Sequence, residues 1–191
     1  GSGLFSKKFN DFINNHGDKE YYPTYKNIDN ISSNKSFNKE KRELLHIDFI
    51  RQYESIKRSK KVDDNIKSIL SENTFTITTG HQLNIFTGPL YVIYKIISCI
   101  KLSEDLNKKF PNKNFVPVYW MASEDHDFDE IKSCYSNGKN YEWKIKPSGA
   151  VGDIDPKSLK DLINKIPDVQ DFFSDAYLTS DSLSLAVRKY M

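Results

Sequence analysis

Residues 75–121 hold the pattern that most restricts the fold. A β-branched apolar run, FTITT, leads into a glycine-rich passage, GHQLNIFTGP, then a long apolar helical pattern beginning LYVIYKIISCI. A second apolar run, FVPVYWM, follows. Strand, helix and strand in this order make a βαβ unit, whose strands lie parallel and whose crossover is right-handed. The strands are expected over residues 75–79 and 115–121, and Pro117 argues for a place near a strand start or at a bulge. Gly88 or Thr87 is the expected N-cap, with Pro89 at the first helical position, where its missing N–H is no loss. The helix should run to about Lys108. Leu90, Ile93, Ile97 and Ile100 form one stripe, widened by Val92 and Ile96, as suits a helix pressed on a sheet.

The flanking segments read less sharply. Leu4, Phe5, Phe9, Phe12 and Ile13 fall at helical spacing, and residues 21–36, rich in Asn, Ser and Tyr, suggest an extended connector. From Asn38 onward, Leu44, Leu45, Ile47, Phe49, Ile50 and Tyr53 predict a broad apolar helix face, and Asp63 or Asp64 could cap a shorter helix. Beyond the second strand, SCYSNGKNYEWKI predicts a hairpin around Asn137 and Gly138. Helical patterns follow near 156–165, 168–176 and 181–190. The division expected is an N-terminal helical segment over 4–72 and the first part of an α/β core over 73–191, with GSG at 1–3 read as an expression scar.

Composition narrows the function classes. The 191 residues are 38% apolar and 28% charged, with a formal charge of +2, and the lysines are interleaved with acids. That is a solvated face rather than a nucleic-acid stripe, so no nucleic-acid partner is expected. The longest apolar run carries Lys95 and is too short to span a bilayer, so no membrane partner is expected either. The two cysteines make neither a disulfide framework nor a metal site. Cys99, inside an apolar helical pattern, reads as an inert core thiol, and a reducing cytoplasm fits best.

The chemistry is expected in the two loops that follow the strands. In an open parallel sheet, ligands bind beyond the carboxyl ends of the strands, so neighbouring strands would bring TGHQ and SEDHD to one crevice. Gly80 would allow a sharp turn and a close approach of backbone to ligand. His81 could bind a phosphate or act as an acid, and Gln82 offers both donor and acceptor. The N–H groups at the start of the helix favour an anion, which Lys95 would reach if its face turned to the crevice. Asp125 and Asp127 suit hydroxyls, amines or a hydrated Mg²⁺, with His126 as a proton shuttle. Structural readings stand beside these. Glycine-rich strand-to-helix turns are common, acids such as Asp129 and Glu130 complement a helix dipole, and Asp127 with Glu130 has capping-box spacing. Trp120 and Tyr119 read as core and crevice wall. GxxxxGK[ST] and GxGxxG are both absent, so neither a P-loop nor a dinucleotide fingerprint is present. A metal-assisted hydrolase with Asp125, His126 and Asp127 as ligands is an alternative, weakened because three consecutive residues rarely converge on one ion. A non-catalytic nucleotide- or sugar-binding module is another.

TGHQLNIFTGPLYVIYKIISCIKLSEDL followed by FVPVYWMASEDHDFDEI closely resembles the cysteine-adding enzymes of bacillithiol biosynthesis, over roughly residues 74–131. VGDI at 151–154 also sits where members carry a similar stretch. The resemblance implies an α/β fold with an incomplete Rossmann-like, nucleotidyltransferase-like parallel-sheet core and an N-terminal helical segment. It further implies a ligase joining L-cysteine to glucosaminyl-malate, with ATP activating the cysteine carboxylate and Mg²⁺ as a possible companion. Carried over by position, Gly80, His81 and Gln82 match the first loop, Thr87, Gly88 and Pro89 the helix entry, and Glu124, Asp125, His126 and Asp127 the second loop. The loop lacks the second histidine of an H-x-G-H motif, and many relatives carry Gln where His81 stands. Members are several hundred residues longer, so the chain reads as an N-terminal fragment. The longer protein would carry a coiled coil and could form a homo-oligomer, and the fragment alone could be inactive. An unpaired sheet edge and apolar surface on the fragment are expected to promote association.

Overall fold

The computed structural model of the chain describes residues 6, 7, 10, 37–166 and 170–191. The apolar positions of the expected first helix and the connector over 21–36 lie outside the described residues.

Helix α1 spans Lys39–Gln52, and the Asn38 side chain caps it by accepting from the Lys41 N–H at 2.9 Å. Its expected apolar face is not a buried one, since Leu44, Ile47 and Ile50 are exposed. Arg42, only 6% exposed, is what the helix buries instead. Helix α2 spans Lys60–Ser68 and starts earlier than Asp63 or Asp64 would have placed it, because the Ser59 hydroxyl accepts from the Val62 N–H. Asp63 falls in the first turn and pairs with Arg58 at 2.7 Å. Arg42 donates to the carbonyls of Ile69 (3.0 Å), Thr74 (3.2 Å), Glu72 (3.3 Å) and Phe37 (3.1 Å). A cation thus satisfies carbonyls at the C-terminal end of α2 and joins it to the first strand.

Strand β1 spans Thr74–Gln82 and β2 spans Asn114–Ala122. They pair in parallel from Thr74 with Asn114 to Gln82 with Ala122, so both strands end at the same edge. Pro117 lies within β2 opposite Ile77. A strand with one neighbour among the described residues has an open side on which the missing N–H costs nothing. Helix α3, Leu90–Lys109, is the crossover, and Pro89 stands at its N-cap, one place before the position expected. The face that α3 buries also differs from the expected one. Val92, Cys99, Ser103 and Leu106 are buried, whereas Leu90, Ile97 and Ile100 are exposed. Cys99 and Ser103 are small and bond inward, Cys99 Sγ to the Ile77 carbonyl at 2.9 Å and Ser103 Oγ to the Cys99 carbonyl at 2.9 Å. Apolar periodicity selects the more hydrophobic stripe, but small residues allow the closer approach. Burial pushes the Cys99 thiol up, consistent with an inert role.

After β2 come a single helical turn α4 (Phe128–Ile131) and the hairpin β3 (Ser133–Ser136) and β4 (Lys139–Glu142). Asn137 and Gly138, both at positive φ, form the turn that the sequence predicts. Two 3₁₀ turns, Val151–Asp153 and Pro156–Leu159, precede α5 (Lys160–Ile163), α6 (Gln170–Leu178) and α7 (Leu183–Tyr190). The principal core lies past the carboxyl ends of the strands. There Leu83, Ile85 and Phe86 pack with Ile131, Tyr177 and Leu183. The loops expected to carry chemistry are thereby seated against this core. Among the described residues, no helix is long and apolar enough to cross a membrane.

Candidate active site at the strand ends

β1 extends through Gly80, His81 and Gln82, so these residues belong to the strand and not to the turn after it. The need for glycine at 80 is therefore different from the one expected. A Cβ there would lie 2.7 Å from the Trp120 carbonyl oxygen and 2.8 Å from the Trp120 Cβ. The sharp turn comes later, where Phe86 (φ 52°), Thr87 (φ 70°) and Gly88 (φ 67°) adopt three successive left-handed conformations. Such a run is costly and persists only where the surroundings over-determine it. The surroundings do so: the Phe86 N–H donates to the buried Tyr177 hydroxyl at 2.8 Å, and Tyr190 donates to the Asn84 carbonyl at 3.1 Å. A Cβ on Gly88 would lie 2.6 Å from that of Asn84.

Gln82 brings the two loops together. Its Nε2 donates to Asp125 Oδ2 at 3.1 Å and to Glu130 Oε2 at 2.6 Å. One amide thus bridges two carboxylates beyond the paired strand ends, so the two loops lie side by side there. Asp125 is further held by the Asp127 N–H on its Oδ1 at 2.8 Å. That backbone bond chiefly, then the Gln82 bond, keeps its carboxyl below the usual carboxylate range against the opposing effect of desolvation. Asp127 Oδ1 accepts from the Glu130 N–H at 3.2 Å, as the capping-box spacing predicts. The reciprocal bond is not made, because Glu130 turns to Gln82. Glu124 and His126 are exposed at the rim. The acidic loop is pinned from behind, where Val151 and Gly152 donate to the carbonyls of Asp125 (2.7 Å) and Ser123 (2.9 Å). Gly152 has to be glycine there, since a Cβ would lie 2.6 Å from Ser123.

From α3, Lys95 Nζ donates to the Gly80 carbonyl, so its face does turn toward the end of β1. His81 Nε2 is hydrogen-bonded to the Tyr91 hydroxyl, and its Nδ1 lies 2.9 Å from Asn84 Nδ2. Tyr119 is partly buried, and its phenol is pushed up by burial and then by Tyr91. Trp120, expected in the core or crevice wall, is 62% exposed instead. Among the described residues, no three or more His, Cys, Asp or Glu side chains are grouped to hold a metal ion. Asp125, His126 and Asp127 therefore do not converge as the ligand set of the hydrolase alternative. Sequence reasoning missed Asn84, Tyr91, Tyr177 and Tyr190, and it set Glu130 aside as a dipole partner. Asn84 had a legible signal, because a polar residue between Leu83 and Ile85 in an apolar run demands a buried partner.

Residues 6–191 match the family described as bacillithiol biosynthesis BshC, N-terminal Rossmann-like domain. The chain belongs to this family. Its fold is accordingly Rossmann-like, with β1, α3 and β2 forming a parallel βαβ unit within it. Similar BshC relatives include a protein of Flavobacterium psychrophilum, 41% identical over 204 residues, and one of Cytophaga hutchinsonii, 40% identical over 194 residues. A third, from Flavobacterium johnsoniae, is 38% identical over 203 residues. All three are named "Putative cysteine ligase BshC". The matches cover 98%, 100% and 98% of this chain, in the order given. The chain spans only 37% to 38% of the length of these curated relatives.

Proposed function

We propose that the chain is the N-terminal part of a cytoplasmic ligase that joins L-cysteine to the amine of glucosaminyl-malate, forming bacillithiol with ATP as cosubstrate. The observation that supports this reading is the Gln82 bridge to Asp125 and Glu130, which joins the two strand-end loops in one polar cluster. The relatives' shared name supplies cysteine and the ligase class. Forming an amide from a carboxylate requires its activation, here by transfer of a phosphoryl or adenylyl group from ATP. The amine then attacks the activated carbonyl, the phosphate-bearing group leaves, and the amine gives up a proton.

The crevice suits such a reaction through positioning and electrostatics. Asp125, kept ionised, receives an ammonium or amine, with Asp127 beside it. His126 at the exposed rim takes the proton released on attack. The wall formed by Gly80, His81, Thr87, Gly88, Pro89 and Lys95 receives phosphate near the start of α3. Mg²⁺ arriving with a nucleotide needs only one or two carboxylates, which Glu124 and Asp127 would offer.

The test is formation of bacillithiol by the full-length protein from L-cysteine, glucosaminyl-malate and ATP, followed by mass spectrometry. Asp125→Asn combined with Asp127→Asn should lower turnover about 100-fold or more. Normal turnover in that variant would remove the acidic loop from the mechanism. Unchanged bacillithiol in cells lacking the gene would remove the reaction.

A further inference from the structure

We infer that Tyr91 is a further ligand-binding residue of the crevice, its hydroxyl presented as a donor to an oxyanion by Asn84 acting through His81. The inference rests on the crevice being an anion-holding site, but its geometry stands apart from any reaction.

The direction of each hydrogen bond follows from what each atom can do. Asn84 Nδ2 lies 3.1 Å from the Gln82 carbonyl oxygen, which only accepts, so this atom must be the NH₂ of the amide. The same NH₂ lies 2.9 Å from His81 Nδ1. An NH₂ only donates, so in this contact Nδ1 accepts and the ring proton sits on Nε2. The Gln82 carbonyl, 3.2 Å from Nδ1, would accept from the opposite tautomer, which is the competing state that the experiment below separates. Nε2–H then donates to the Tyr91 oxygen. The Tyr91 hydrogen is left to donate outward, from a side chain that is half exposed and stands edge-on to the imidazole, ring centroids 5.2 Å apart.

The far end of the chain of bonds is anchored in the core. Tyr190 donates to the Asn84 carbonyl, and the Tyr177 hydroxyl, 2.9 Å from that of Tyr190, is left to donate to it. Burial, the largest cause in each case, raises both phenols, so the pair stays protonated as these directions require. Asn84 is itself buried. It is a positioning residue, and Tyr91 is the group that would touch the ligand.

The oxyanion has two possible sources, a nucleotide phosphate or a substrate carboxylate. The experiment uses nitrogen-15 NMR of the labelled 191-residue chain. His81 should show the Nε2–H tautomer in the wild type, and Asn84→Asp should move the proton to Nδ1, since a carboxylate accepts where the amide donated. A wild-type Nδ1–H tautomer, or nitrogen shifts unchanged in Asn84→Asp, would overturn the inference. Titrations with inorganic phosphate and with succinate separate the two sources. Tyr91→Phe should weaken whichever anion binds by roughly fivefold. Equal binding by wild type and Tyr91→Phe, or no binding of either anion, would also overturn it. A failed ligase assay would leave the tautomer result standing, so the two readings fail separately.

Discussion

At the scale of single residues, the site is built on close contacts that tolerate no added atom. A methyl group on Gly80 would strike the backbone of Trp120, which cannot move without parting the strand pair. Gly80→Ala should therefore lower stability by about 1–3 kcal/mol in urea denaturation, the usual cost of overpacking. Sequence alone shows a glycine near a strand end, and it suggests a turn. What it cannot show is the Trp120 carbonyl 2.7 Å from the missing Cβ, because that contact depends on the register of a strand forty positions away. Asp125 carries a second prediction. Its folded pKa lies below its unfolded value, so its contribution to stability is fully present above about pH 4 and is lost as pH falls through the folded value. The stability difference between wild type and Asp125→Asn should accordingly shrink on acidification below about pH 4. A difference that stayed constant from neutrality down to acid unfolding would contradict this.

At the scale of elements, the βαβ unit was legible because its periodicities are long and uninterrupted. Both strands and the crossover helix fall where FTITT, LYVIYKIISCI and FVPVYWM put them, and the Asn137–Gly138 hairpin follows from turn chemistry alone. Helix faces were less legible. In α1 the apolar positions lie outward and a cation lies inward, an arrangement decided by unpaired carbonyls at the end of α2. Arg42→Met should cost about 2–4 kcal/mol in denaturant unfolding, since it leaves buried carbonyls without a donor. A change below about 0.5 kcal/mol, the range of ordinary surface substitutions, would show that the cation is not what holds α1 to the strand. In α3, Leu90 and Ile97 are exposed despite their character, and replacing both by Gln should shift stability by no more than about 0.5 kcal/mol.

At the scale of the whole molecule, the principal core sits beyond the carboxyl ends of the strands, beside a second buried layer between α3 and the sheet. The left-handed turn at 86–88 depends on α6 and α7 through Tyr177 and Tyr190. Tyr190→Phe leaves the Tyr177 hydroxyl and the Asn84 carbonyl short of a partner and should cost about 1–3 kcal/mol, read as a lowered denaturation midpoint. None of this was visible in the sequence, where the two tyrosines look like ordinary aromatic members of amphipathic helices. The bond from Tyr190 to Asn84 spans 106 positions, and the one from Phe86 to Tyr177 spans 91. Pairings so distant close slowly, because a long loop must be ordered before any contact rewards it. On a ribosome adding about 5–20 residues per second, the glycine turn would emerge several seconds before its anchors. A nascent chain would thus expose an unlatched crevice until its two tyrosine helices arrive to clasp it.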